Sequence, residues 1–293
     1  MRVTRLKHPI DAKALENNAP CVMALGFFDG VHRGHQRIIE TAKKIAEQKQ
    51  VKLSVMTFYP HPSQLIKGKE KITHYLSPLP IKMELFKEQG VEQLFIVDFN
   101  LDFAKVNHAN FVKQYLVGLN CRHVVAGFDF RYGFKGEGSM QTIEQDGAGS
   151  FDVTTVSKME EQNEKISSTK IRELLSEGNV GDIPLFLGDY YLFVGKAKEP
   201  FYLKGKKEKF VEVFIDENYL LPSTGSYEVQ LEVEGKKYKG IADVDPIRNK
   251  EFVGVKLFEY LDSYDGKMVK IKWIKKCPDE EVPTSSGHKY QFS

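Results

Sequence analysis

From the amino terminus to about residue 187, short apolar runs alternate with stretches of helical spacing. The runs Cys21–Phe28 (CVMALGFF), Leu53–Phe58 (LSVMTF), Gln93–Val97 (QLFIV) and His123–Gly127 (HVVAG) read as strands buried on both faces. Between them, Gln36–Gln48, Ile81–Gln89 and Ala109–Leu119 carry the apolar periodicity of amphipathic helices. Strand and helix in alternation predict an α/β, Rossmann-like domain: a parallel sheet covered on both faces, with right-handed crossovers. Ligands of such sheets bind beyond the carboxyl ends of the strands. The loops after Phe28, Phe58 and Gly127 should therefore open on one rim.

After Leu187 the pattern changes to alternation with a period of two. Tyr191–Lys198, Glu208–Ile215, Ser226–Val233, Lys236–Asp243, Phe252–Glu259 and Lys267–Trp273 are strand-like, and Glu234-Gly235 is a hairpin turn between two of them. Six such strands in a short stretch predict a small antiparallel β-barrel. The expected division is a nucleotide-handling domain over 1–187 and a barrel over 188–293, with a polar Pro/Ser-containing tail from Cys277.

Composition narrows the picture only by exclusion. The chain has 293 residues, with 42 basic and 40 acidic side chains and a net charge of +2, so it has no broad electrostatic footprint for nucleic acid or an anionic membrane. No run approaches the ~20 apolar residues of a transmembrane helix, and the start of the chain lacks the apolar core of a secretory signal. The three cysteines, Cys21, Cys121 and Cys277, are widely spaced and contain no metal-ligand pair, which fits a reducing cytoplasm.

The sharpest feature is Gly26-Phe27-Phe28-Asp29-Gly30-Val31-His32-Arg33-Gly34-His35, where a buried strand enters a glycine-punctuated turn and a helix starts near Gly34 or His35. Glycines let backbone N–H groups approach an anion, and the helix start adds a favourable dipole. His32 and His35 flank Gly34 and can donate to one phosphate. Cationic Arg33 and His35 at a helix start call for something negative nearby. A second helix opens at Ile166-Ser167-Ser168-Thr169-Lys170-Ile171-Arg172. Ser168 or Thr169 can cap it, yet Lys170 and Arg172 in its first turn oppose the macrodipole unless a polyphosphate sits there.

These two segments together resemble the prokaryotic FAD synthetases, the flavin-adenylating family that makes FAD and pyrophosphate from FMN and ATP. Further matches lie in order between them: Thr57-Phe58-Tyr59-Pro60-His61-Pro62, Asp98-Phe99-Asn100 with Phe103-Ala104, and Gly127-Phe128-Asp129-Phe130-Arg131-Tyr132-Gly133. The similarity covers residues from about 18 to 188. By that resemblance His32 and His35 contact the ATP phosphates, and Asp129 stands near the reacting phosphates. Ser168, Thr169 and Arg172 grip the triphosphate, and the turn residues Gly26, Phe27, Phe28, Asp29, Gly30 and Gly34 line the nucleotide. Phe58, Pro60, His61, Pro62, Phe130 and Arg131 fall on the flavin side, where aromatic rings would stack on an isoalloxazine. Phe58 and Phe130 have an alternative reading as ordinary core, and His61 as a turn residue. The FMN phosphate is itself an anionic nucleophile, so aligned transfer with Mg²⁺ on the phosphates needs no covalent intermediate. No direct metal ligand is identified.

In bifunctional members of that family the second domain is a riboflavin kinase barrel. Its Pro-Thr-Ala-Asn motif, whose Thr and Asn hold Mg²⁺ and ATP phosphates, aligns here with Val211-Glu212-Val213-Phe214. Its catalytic Glu aligns with Gly254, and Asp189 replaces the Arg of the family's LGRPY segment, although the turn Tyr264-Asp265-Gly266-Lys267 survives. The expectation is a barrel without kinase activity, FMN being supplied by a separate riboflavin kinase. The lysines Lys204, Lys206, Lys207 and Lys209 read as a solvated edge before a partner site. Two rivals remain: another nucleotidyltransferase of the superfamily, making a pantetheine or cytidylyl product, and a flavin-binding regulator with an inactive site.

Overall fold

The central strand, Cys21–Leu25, has every residue buried, and its side chains divide strictly by parity. Cys21, Met23 and Leu25 enter one core cluster, Val22 and Ala24 the other. The two-residue period of a strand thus makes one five-residue segment the shared wall of two cores.

The structure, a computed structural model, describes residues 1–66, 68, 70–199, 210–245, 251–259, 261 and 263–278. The lysine cluster at 204–209 and most of the tail lie outside the described residues. The chain divides into two compact units, Met1–Ser168 and Thr169–Ser293.

In the first unit a six-stranded parallel sheet contains β1 (Arg2–Leu6), β2 (Cys21–Leu25), β3 (Lys52–Tyr59), β4 (Gln93–Asp98), β5 (Cys121–Gly127) and β6 (Asp152–Val156), in the order β1-β4-β3-β2-β5-β6. The chain leaves β2 for β3 and β4 on one side, then returns to place β5 on the other. This reversal beside β2 is the topological switch point, where the crevice for a ligand opens in such sheets. Helix α1 (Arg33–Lys49) buries Ile38, Ile39, Ala42 and Ala46, and α2 (Leu79–Glu88) buries Leu79, Lys82 and Phe86. Each buried Ile or Phe removes enough apolar surface to contribute about 2 kcal/mol. The opposite face is covered by α3 (Met140–Gly147) and by the segment from His108. That segment, expected as one helix over Ala109–Leu119, is a single α-turn that widens into a π-helix at Val112–Val117.

Two edge strands were not visible in the apolar pattern. Arg2–Leu6 pairs with Gln93–Val97, and Asp152–Val156 pairs with His123–Gly127. Both are five residues long and mostly polar, as sheet edges are.

In the second unit, the strands β7 (Tyr191–Lys198), β8 (Phe210–Ile215), β9 (Gly225–Val233), β10 (Lys236–Val244), β11 (Phe252–Leu257) and β12 (Met268–Lys276) close into an antiparallel barrel. Its order is β7-β8-β11-β10-β9-β12. The core is aromatic: Phe193, Tyr191, Tyr227 and Trp273 are each no more than 1% exposed. The predicted hairpin is present, with Glu234 and Gly235 both at positive φ, as its tight turn requires. Helix α4 (Ser168–Glu177) opens with the last residue of the first unit, and all its other residues belong to the second. There Leu175 O accepts a hydrogen bond from Ser223 N at 2.9 Å.

Candidate active site

The strand β2 ends at Leu25, earlier than the apolar run suggests, because Gly26 begins a turn of mixed handedness. Phe28 has φ 57°, Gly30 φ 77° and Val31 φ 45°. A branched residue such as Val31 adopts this region at a cost of about 1–3 kcal/mol, so the surroundings must hold it there. Several groups do so. Asp29 Oδ1 accepts from Leu76 N (3.0 Å) and Ser77 N (3.3 Å), and Gly30 N donates to Ser77 Oγ at 2.9 Å. Ser168 Oγ donates to Asp29 O at 2.9 Å. The Phe27 carbonyl accepts from both Thr57 Oγ1 and Lys82 Nζ, each at 2.9 Å. Gly26 is required by packing: a Cβ there would lie 2.9 Å from the Phe28 ring.

Helix α1 then starts at Arg33, with His32 as its cap. His32 Nδ1 accepts from His35 N at 3.2 Å, which fixes the neutral ring with its proton on Nε2. The two imidazoles stack at 3.6 Å and 13° between planes. Gly34 permits this arrangement, since a Cβ there would meet the His32 ring at 3.2 Å. Burial pushes His32 down to about 4. It drives His35 well below its ordinary value too, helped by the charges of His32 and Lys82. Both rings are therefore neutral at neutral pH and act as donors, not as cations. The Nδ1 atom of His35 is buried and has no hydrogen-bond partner among the described residues.

This geometry revises one argument from sequence. Arg33 at the helix start does have a negative partner, because its Nη1 lies 2.6 Å from Glu161 Oε2 on the short hairpin Glu160–Glu161/Glu164–Lys165. The same hairpin brings Lys165 Nζ to 2.6 Å from Asp129 Oδ2 and 5.0 Å over the Phe128 ring. Both Asp129 and Lys165 act electrostatically on His32. The rim thus brings together His32, His35, Asp129, Ser168 and Lys165. Lys165, one residue before the Ile166–Arg172 segment, was not among the sequence candidates, although its place beside that segment is a usable signal. Thr169 and Arg172 follow on α4, in its first turns.

Several candidate side chains have structural duties. The Phe28 ring is fully buried beneath His35, edge-on at 5.1 Å, and only its backbone can face a nucleotide. Phe58 is a core residue, packed against Phe99 and Phe103. It therefore takes the core reading, since apolar β3 buries its last rings. Phe130 packs on the same cluster from its rim and stacks on Tyr132. Arg131 is exposed on the following short strand. In the loop after β3, His61 caps the turn at Pro62 and places its ring edge-on against Phe27 at 4.4 Å. Pro60, His61 and Pro62 are half-buried. The β3 loop thereby touches the turn after β2, as expected of loops on one rim. Among the described residues no three His, Cys, Asp or Glu side chains form a metal-binding group.

The strained turn with its histidine pair and the Ser168-Thr169 helix start both fall within a segment that matches a known family. A match to the FAD synthetase family covers residues 14–170. The chain belongs to this family. A bifunctional riboflavin kinase/FMN adenylyltransferase of Bacillus subtilis is 37% identical, the alignment covering 96% of this chain and 91% of that protein. A FAD synthetase of Listeria monocytogenes is 32% identical over 73% of this chain and 82% of its own. The barrel also has a solved counterpart. A Streptococcus pneumoniae structure described as a macrolide-efflux protein superposes with a TM-score of 0.81 at 24% identity, covering 94% of this chain and 91% of that one. At that identity it establishes the fold alone. No helix among the described residues is long and apolar enough to cross a membrane.

Proposed function

We propose that this FAD synthetase works on FMN made elsewhere, its barrel having no kinase chemistry of its own. The reaction of the first domain joins the AMP part of ATP to FMN: a phosphate oxygen of FMN bonds to the α-phosphorus, the bond to the β-phosphate breaks, and pyrophosphate leaves. The observation that carries the site is the neutral His32/His35 stack at the start of a 17-residue helix. Neutral imidazole N–H groups donate to phosphate oxygens in ground and transition states without giving up a proton. His32, His35 and the turn amides hold the nucleotide. Ser168, Thr169 and Arg172 hold the triphosphate, and Asp129 and Lys165 stand on the reacting side. Mg²⁺ enters with ATP as its counter-ion, and no side chain of this chain is assigned to it. Pro60, His61, Pro62, Phe130 and Arg131 form the flavin side. We place the functional boundary at 187/188, with α4 belonging to the adenylyltransferase.

For the barrel, the support lies in its register. Glu212 pairs directly with Gly254 across β8 and β11. These are the positions aligned with the kinase Thr and with its catalytic Glu, so the alignment converges on one spot of the barrel wall. There a Gly cannot act as a base, and Phe214, 5.7 Å from Phe252, takes the place of the kinase Asn. The test is incubation with Mg-ATP and either FMN or riboflavin. FAD from FMN alone is the expected result; FAD or FMN from riboflavin overturns the kinase-free barrel, and no FAD from FMN overturns the whole reading.

A further inference from the structure

The buried histidine pair leaves the turn without positive charge at the point where a triphosphate must be neutralised. One cation whose charge reaches His35 is Lys82, which stands on α2 and is 2% exposed. Its Nζ donates to Phe27 O at 2.9 Å and lies 4.0 Å over the Phe27 ring. An ammonium has three donors, and among the described residues Lys82 makes this one hydrogen bond and no ion pair with a carboxylate. A cation buried with so little compensation is costly unless a further negative charge acts on it.

We propose that Lys82 is a positioning residue for the nucleotide phosphates, its buried ammonium fixing the Phe27 carbonyl and setting a positive charge behind the turn that carries His32 and His35. The proposal rests on the adenylyltransferase reading above. It explains why a lysine occupies the apolar stripe of α2 alongside Leu79 and Phe86, where a methionine would pack without desolvation cost. It also gives the Phe27 carbonyl its second donor, which holds the turn that carries His32 and His35. The titratable groups facing Lys82 are Asp29 on the turn and His35 on α1; His61 and Tyr75 lie against the Phe27 ring. Burial pushes Lys82 down to about 8, with Asp29 pulling the other way. The charge is therefore present at neutral pH and fades as the solution becomes alkaline. A polyphosphate above the turn favours the charged form and raises the value again.

At an effective dielectric of about 20, a unit charge acting on an anion several ångströms away amounts to roughly tenfold to a hundredfold in an equilibrium constant. Lys82→Met should raise KM for ATP by about that factor and leave KM for FMN unchanged. Lys82→Arg should restore the KM for ATP, and its ATP affinity should stay level at alkaline pH, where the wild-type affinity declines above about pH 8. Independently of turnover, lysine ¹³Cε NMR should show one signal, absent from Lys82→Arg, whose midpoint rises on adding α,β-methylene-ATP with Mg²⁺. A folded Lys82→Met enzyme with wild-type KM for ATP overturns the proposal. So does a Lys82 midpoint that ignores bound nucleotide, or an alkaline decline that persists in Lys82→Arg; these two measurements decide the matter if Lys82→Met does not fold. A wild-type enzyme that makes FAD beside a normal Lys82→Met refutes this inference alone, whereas a wild-type protein that neither binds ATP nor makes FAD refutes the site assignment with it.

Discussion

Acid should weaken the first unit through the histidine pair before it protonates most carboxylates. His32 is 6% exposed, and burial pushes its pKa down to about 4 from the ordinary 6.5 of an imidazole. The folded protein therefore binds fewer protons than the unfolded chain between these values, and stability falls as pH falls through that window. At pH 7 the effect is almost nil. At pH 5 the unfolded imidazole is nearly all protonated and the folded one is not, which costs about 2 kcal/mol; the full gap corresponds to about 3 kcal/mol below pH 4. His35 shifts in the same direction and adds to the loss, though two stacked rings resist taking a second charge. The control is His32→Asn, because an Asn side chain can keep the cap on His35 N without titrating. Hydrogen exchange of the α1 amides, measured at pH 7 and pH 5 and corrected for intrinsic rates, should show the variant losing about 2 kcal/mol less than wild type. Equal losses in the two proteins would refute the assignment to His32. A loss centred below pH 4 would do the same, since it would belong to carboxylates.

Three further outcomes follow from the described contacts. Gly34→Ala places a methyl 3.2 Å from the His32 ring and should cut kcat/KM for ATP by about tenfold, while the melting temperature moves by only a few degrees. Lys165→Met removes a half-exposed pair with Asp129; it should leave stability within about 1 kcal/mol but slow FAD formation about tenfold. Gly195→Ala drives a Cβ into Phe214 O across β7 and β8 and should destabilise the barrel by about 2–4 kcal/mol. Trp273, the only tryptophan and fully buried in the barrel, reports that unfolding by fluorescence.

The strands of the parallel sheet were legible where burial on both faces makes a continuous apolar run, as in CVMAL and LSVMT. The edges Arg2–Leu6 and Asp152–Val156 were not, because an edge strand with one wet face reads like a loop when only five residues long. The barrel was legible throughout, since alternation with turn residues has few other meanings; Tyr191–Lys198 was placed to the residue. In the candidate site, the His-x-Gly-His spacing marked the turn where the two rings stack, but the charge state of those rings could not be read from sequence. Neutrality comes from burial, and burial is a tertiary property. Lys82 illustrates the reverse case. Its helical phase with Leu79 and Phe86 places it on the buried stripe, so a lysine there was a signal in plain view, masked by the habit of reading lysines as solvated.

Helix α4 bears on what the protein can discard over time. Its first residue, Ser168, braces the turn after β2, while its far end leans on the barrel: Ser223 N donates to Leu175 O, and a Cβ at Gly178 would strike Lys276, Ser223 and Tyr227 at 2.8–2.9 Å. A chain trimmed after residue 187 would leave that end of the helix with bare carbonyl and apolar surface. Substitution of polar side chains on the barrel wall leaves those contacts in place, whereas deletion of the barrel removes them, so the wall can change its chemistry more freely than the chain can shed the fold.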